Sequence, residues 1–271
     1  MTLLNVLFED DSLFIVDKPS GLMVHPSWLD RHETVFAQAI AEEMVGQKLH
    51  TLHRLDRPTS GILIFGKNSD VARSMLASFE NHDINKFYLA IARGWTDSTG
   101  IIDKPLTVTL DPIADKYAQK DKPPQDAITC FSSLAQVELP YAVGRYDQAR
   151  YSLNLVRPIT GRQHQIRKHF RKISHHLISD TRYGDGRHNK MLIEQYHWKT
   201  LGLRAVRVEF PHPVTGDILV IDAGLNNLWR DLFMQWSWHS HIESIDQPST
   251  EFINACVELS QINPVVGSIQ G

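Results

Sequence analysis

"TLHRLDRPTSGILIFGK", residues Thr51 to Lys67, places two arginines and an aspartate directly before a Ser-Gly turn and four apolar residues. Pro58 disfavours helix at Arg57, so the charged segment turns or runs extended. Gly61 allows backbone geometry that other residues avoid. Ile62–Phe65 is short, apolar and bounded by turn residues, the pattern of a buried strand. Asp56 is thus presented from a turn at the edge of buried sheet. Burial alone favours a neutral carboxyl, whereas a nearby guanidinium favours the carboxylate. An aspartate that must stay charged there needs cationic company, which Arg54 and Arg57 offer. Taken alone, the pattern fits equally an ion pair that merely anchors the turn.

Strand-like runs lie at Val6–Phe8 and Leu13–Val16, followed by the Lys18-Pro19-Ser20-Gly21 turn. A helix is expected from Glu33 to Val45, and another after the Asn68-Ser69 cap, with Val71, Met75, Leu76 and Phe79 on its apolar face. "KFYLAIARGW" reads as strand; between Thr96 and Gln125 the pattern loosens, and "DPIADKYAQKDKPPQ" (Asp111–Gln125), charged and carrying paired prolines, reads as a loop or insertion. Strands are expected at Ala127–Phe131, Leu134–Glu138 and Tyr151–Val156. A helix opens at Thr160-Gly161, with Ile166, Phe170 and Ile173 inward, and a hairpin joins "LRAVRVEF" to "ILVIDA". After Trp238 the chain reads as an acidic tail, 239–271, holding one candidate amphipathic helix at Glu251–Leu259. The mixed order of strands and helices points to the α+β class.

The chain has 271 residues, 42% of them hydrophobic, enough for a substantial core. Two cysteines, Cys130 and Cys256, make no disulfide framework, so a soluble cytoplasmic protein is expected. No run reaches the ~18 apolar residues of a membrane span. The net charge of -3 conceals an asymmetry: between Arg145 and Lys190 eleven Lys/Arg face three acids, a local +8 that leaves -11 elsewhere. Such a window is a solvated charged face or a surface for a polyanion.

Nucleotide-binding and hydrolase signatures such as G-x-G-x-x-G, the P-loop and G-x-S-x-G are absent. No second carboxylate accompanies Asp56 at a glycosidase spacing. His164 and His169 lie five apart, off the i,i+4 face of a helical zinc pair, and no Cys-x-x-Cys occurs, so no metal site is expected. Arg162, His164, Arg167, Lys168, Arg171 and Lys172 form the densest basic cluster, suited to phosphate contact. Tyr88 alone reads as an ordinary core aromatic.

Taken together, "DKPSGLMVH" (Asp17–His25), "HRLDRPTSG" (His53–Gly61), "KFYLA" (Lys86–Ala90), "TGRQHQIRKH" (Thr160–His169) and "HPVTG" (His212–Gly216) resemble the pseudouridine synthases of the RluA family. The resemblance spans most of residues 5–225. It implies an α+β fold with a mixed, mainly antiparallel sheet, flanking helices and a central catalytic cleft, all within 1–238 and without an S4-type RNA-binding domain. "SWLDR" (Ser27–Arg31), "IADKYAQKDKPPQDAIT" (Ile113–Thr129) and "GRYDQARYSL" (Gly144–Leu153) are similar to a branch acting on tRNA, implying uridine 65 as target. It further implies that Asp56 breaks the glycosidic bond, Arg162 pairs with it, Tyr88 stacks on uracil and Arg54 fills the space the nucleotide vacates. His53, Arg57 and the basic cluster are implied to bind RNA, without cofactor and as a monomer. A family member acting on ribosomal RNA and a non-catalytic RNA-binding protein are the other readings. The chain departs from the family pattern at His176, Ser179 and Arg204, where Pro, Gly and His are usual.

Overall fold

Short apolar runs build the first half of the sheet, and the computed structural model describes residues 3–26, 34–107, 123–246 and 250–261. β1 (Asn5–Glu9) and β2 (Leu13–Lys18) form an antiparallel hairpin. The Asp10 carboxylate closes its turn by accepting from the amides of Ser12 and Leu13. α1 (Ala37–Val45) and the two-residue β3 (His50–Thr51) lead to β4 (Ser60–Gly66), which is buried throughout. α2 (Ser69–Glu80) starts where the Asn68 side chain accepts from the amides of Asp70 and Val71, satisfying donors that a helix start leaves open. Four strands follow: β5 (Asn85–Arg93), β6 (Thr99–Asp103), β7 (Ile128–Leu139) and β8 (Ala149–Pro158). Next come α3 (Gln165–Lys172), α4 (Gly186–Tyr196), β9 (Leu203–Pro211) and β10 (Ile218–Asp222). Helices α5 (Asn227–Gln235), α6 (His239–Asp246) and α7 (Thr250–Gln261) end the described chain.

The ten strands form one sheet in the order β1-β2-β4-β9-β5-β8-β7-β6, with β10 on β9 and β3 on β4. Every pairing is antiparallel except one: β4 runs parallel to β9 over Ser60–Gly61 and Arg204–Ala205 alone. Two antiparallel halves thus meet at a seam two residues long, an α+β architecture as expected. Gly61 makes the seam possible. Its φ is 108°, and a Cβ there would stand 2.0 Å from the Ala205 carbonyl oxygen. Across the seam Gly61 pairs with Ala205, Ala205 with Tyr88, and Tyr88 with Val156, which sets Tyr88 on the row where the halves join.

Arg204 braces the same place. Fully buried, it donates to both Asp17 carboxylate oxygens at 3.0 and 2.7 Å and to the carbonyls of Ala223 and Gly224. The arginine that replaces a common histidine therefore links β2 to β9 by a charged fork. Apolar side chains pack on both sides: one cluster joins β1, β2 and β4 to α1 and α2, and a larger one joins β5, β7 and β8 to the C-terminal helices. A third lies beneath α3.

Several expectations need correction. β6 lies in the loosely patterned stretch after Thr96, where no strand was expected, because its edge-strand pattern is short and half exposed. β7 is one strand with an irregularity between Ser133 and Ala135, rather than two. The segment after Trp238 is no tail as far as it is described. Ile245, Cys256 and Leu259 are buried in the larger core, and Asp246 accepts from the Leu225 amide and pairs with Arg230. Arg157 donates to the Leu259 carbonyl and to Asn85 at the start of β5. Acid-rich composition masked this apolar face. Ser27–Arg31, Glu33, most of Ile113–Thr129 and the chain after Gln261 lie outside the described residues. No helix among the described residues is long and apolar enough to cross a membrane.

Replacing Gly61 by Ala is expected to cost at least about 3 kcal/mol of stability, combining the penalty of positive φ with a backbone clash. Urea unfolding measures it; a loss below half that value contradicts the seam argument.

Candidate active site

The loop bearing Asp56 is held by its partner loop rather than by regular structure. The Asp56 carbonyl accepts from the Thr59 amide at 3.0 Å, closing a tight turn through Pro58. The Arg57 carbonyl accepts from the Gly21 amide at 2.8 Å and from the Lys18 ammonium at 3.2 Å. Arg57 Nε returns a bond to the Gly21 carbonyl, and the Ser20 hydroxyl donates to Pro58. Lys18 is wholly buried, and its ammonium also serves the carbonyls of Pro19 and Leu22. Burial pulls Lys18 down to about 7, against the charges of Asp56 and Asp17. The Lys-Pro-Ser-Gly turn is thus the mould in which the Arg-Leu-Asp-Arg turn is cast.

The guanidinium facing Asp56 belongs to Arg167, not to Arg162. Arg167 lies on α3 with 5% of its side chain exposed and donates to Asp56 Oδ2 at 3.0 Å. Its other nitrogens grip both oxygens of Asp180, at 2.7 and 2.9 Å. Burial alone would raise the Asp180 carboxyl, but Arg167 and the amides of Tyr183 and Arg182 hold it below the usual carboxylate range. Burial likewise opposes the Arg167 charge, yet the two carboxylates keep it firmly protonated. The arginine is therefore a fixed cation between a buried aspartate and a half-exposed one, and its plane also faces the Tyr183 ring at 5.1 Å. Arg162, by contrast, is exposed on the loop before α3 and donates from Nε to the Asp126 carbonyl.

The remaining residues sort by what they touch. His164 starts α3 with a φ of 54°, shares a hydrogen between Nδ1 and the Tyr183 hydroxyl, and sets Nε2 3.7 Å from Asp56. Burial lowers its pKa despite Asp56, so the imidazole is neutral near pH 7 and this contact is no ion pair. His53 lines the cleft, but its Nε2 accepts from the Ile64 amide at 3.1 Å, a brace for the loop rather than a free donor. Burial and the Lys86 charge pull it to about 3. Lys168 and Lys172 donate to the carbonyls of Thr107 and Pro105. Arg171 and Arg54 are exposed, with no partner among the described residues. The basic cluster thus splits: Arg167 is buried machinery, whereas Arg162 and Arg171 face outward.

These groups surround a cleft of about 890 Å³ that contains Asp56, Tyr88, Arg162, His164 and Arg167. That is room for one nucleotide. Burial, reinforced by the charge of Asp56, raises the Tyr88 pKa, so its phenol stays protonated and offers a ring face rather than an anionic base. No cluster of metal-binding side chains occurs among the described residues. Ser179, where glycine is usual, keeps a glycine-like φ of 53° while its amide donates to Asn189. Sequence reasoning missed Asp180, Lys18 and Tyr183. The one available signal was α3's inward stripe, where Arg167 sits beside Ile166 and one turn before Phe170.

Comparison with known proteins identifies the family. The family model of RNA pseudouridylate synthases matches residues 12–172, more than half of the chain. A tRNA pseudouridine synthase C of Vibrio cholerae serotype O1 is 42% identical over 240 residues, spanning 89% of this chain and 98% of that protein. One of Pasteurella multocida is 46% identical over 235 residues, with 87% and 97% covered. The chain therefore belongs to the RNA pseudouridylate synthase family. At the level of fold, it overlays human RNA pseudouridylate synthase domain containing 4 with a TM-score of 0.64 at 22% identity, over 86% of this chain and 93% of that one.

Replacing Arg167 by Met strands the buried Asp180 charge. It is expected to cost about 3–5 kcal/mol of stability. Arg162→Ala should leave stability within about 0.5 kcal/mol. Denaturant melts of the two variants side by side check the assignment, and equal losses would reverse it.

Proposed function

We propose that this protein isomerises uridine to pseudouridine in tRNA, with Asp56 as the group that opens the glycosidic bond. One observation carries the reading: a carboxylate gripped by a buried arginine faces a nucleotide-sized cleft beside Tyr88. Family membership supports the reaction, and the relatives named for tRNA support the substrate.

The chemistry must detach uracil from C1′, turn it, and rejoin it through C5 without loss to water. A fixed, ionised carboxylate serves either as nucleophile at C1′ or as base at C2′. Arg167 aims it and, by sharing its charge with Asp180, cannot swing away. The Tyr88 ring supplies a face on which the loose base can stack. None of these steps needs a redox partner. The target base lies stacked in folded RNA and must be everted, which costs a few kcal/mol. Exposed Arg162 and Arg171 would offer phosphate contacts that offset the cost, and Arg54, exposed at the cleft, is taken to enter the vacated stack. We take the target to be uridine 65, acted on by a monomer in the cytoplasm.

Asp56→Asn should bind tRNA within about threefold of the wild type yet form no pseudouridine, because only the reacting carboxylate is removed. Pseudouridine mapping on tRNA tests this, and turnover by the variant refutes the site. Arg162→Ala combined with Arg171→Ala should weaken tRNA binding and lower the slope of log K against log salt by roughly 1 to 2, one for each phosphate no longer neutralised. An unchanged slope in a titration from low to moderate salt would place the RNA elsewhere.

A further inference from the structure

Breaking the N1–C1′ bond of uridine leaves the bonding pair on the base, whichever role Asp56 takes at the sugar. The charge spreads from N1 onto the carbonyl oxygens at C2 and C4. A cleft that keeps this anion while it turns needs a fixed cation close to the base. The buried cations nearby are committed: Arg167 to two carboxylates, Lys18 to three carbonyls, Arg204 to Asp17. Arg54 and Arg162 stand at the exposed rim of the cleft.

Lys86 is different. It lies on β5 two residues before Tyr88, and both line the cleft, so the two side chains leave one face of the strand roughly 7 Å apart. Its ammonium sits 5.4 Å over the Phe79 ring and next to His53, whose Nε2 is occupied by the Ile64 amide. No carboxylate or carbonyl among the described residues accepts a hydrogen bond from it. Burial, aided by the Arg157 charge, lowers its pKa, which an arriving anion would reverse. So recessed a group meets the part of the nucleotide that enters deepest, the base, while the phosphodiester stays at the rim.

We propose that Lys86 is a catalytic residue that holds the negative charge of the detached uracil through a carbonyl oxygen at C2 or C4; this rests on the pseudouridine synthase reading above. The electron balance is simple. The N1–C1′ bond breaks with its pair on the base, and Lys86 remains an ammonium throughout. C5 of the turned base then bonds to C1′ as the Asp56 oxygen leaves it or, where Asp56 acted as base, as it returns the proton to C2′; the C5 proton departs, and N1 takes one up.

Single-turnover rates on tRNA, for the wild type, Lys86→Met, Lys86→Gln and Lys86→Arg, test the assignment. Both neutral variants should lose about 100-fold in the chemical step, the scale of one electrostatic donor. Their tRNA affinity should stay within about threefold, and Lys86→Arg should recover about tenfold, because the interaction acts in the transition state rather than in binding. On tRNA carrying 5-fluorouridine at the target, fluorine makes the base a better leaving group. There the deficit in glycosidic-bond cleavage should shrink below about tenfold, since less stabilisation is missing. A lysine that only supports the strand would give one deficit on both substrates. Equal deficits, a loss confined to affinity, or full activity in Lys86→Met overturn the proposal while the enzyme reading stands. A wild type that makes no pseudouridine overturns both.

Discussion

The contact between Gly61 and Ala205 governs the molecule, because it lies at the one strand pairing, among the described residues, that joins the two halves of the sheet. A side chain at Gly61 would collide with the Ala205 carbonyl, and β4 and β9 would have to separate. Separation would also displace Tyr88, which is paired to Ala205, and the Arg204–Asp17 fork beside it. The cleft is built on this seam, so catalytic geometry and fold share a single steric condition. Arg167 adds the electrostatic counterpart. It reaches from α3 to the Asp56 loop and ties both to Asp180. Breaking such a buried pair costs more than forming it gains, which makes the arrangement rigid rather than unusually stable.

The Asp56 loop owes its shape to hydrogen bonds from a distant turn. Lys18 and Gly21 hold the Arg57 carbonyl, while Ser20 holds that of Pro58. Charge has been spent on backbone here: a buried ammonium that could have faced substrate instead satisfies three carbonyls. The division of labour among cations follows from burial. Recessed Lys18 and Arg167 order the loop and the carboxylate, whereas Arg54, Arg162 and Arg171 face solvent.

Much of this was legible in the sequence because local signals agreed with the final structure. Ile62–Phe65 as buried strand, Asn68 as helix cap, and Asp56 on a turn beside the sheet all follow from residues adjacent in the chain. What escaped was set by distance. Arg162 and Arg167 share one motif, and only the start of α3 at Gln165 decides which of them turns inward. Asp180, the third member of the charge cluster, has no neighbouring pattern that marks it. β6 and α6 were hidden for another reason, whereas the amphipathic helix expected at Glu251–Leu259 lies within α7. The apolar faces of β6 and α6 are narrow and lie among acids and polar residues, so composition outweighed periodicity.

The strand order has a bearing on how the protein comes into being. β9 lies between β4 and β5, yet it is made well over a hundred residues after β4. During synthesis the early hairpin and the middle strands can form separately, but no strand can join them into one sheet until Leu203–Pro211 has left the ribosome. Nascent chains therefore lack a competent pocket for most of translation, and any truncated product that ends before this insertion carries the motif of an enzyme without its architecture.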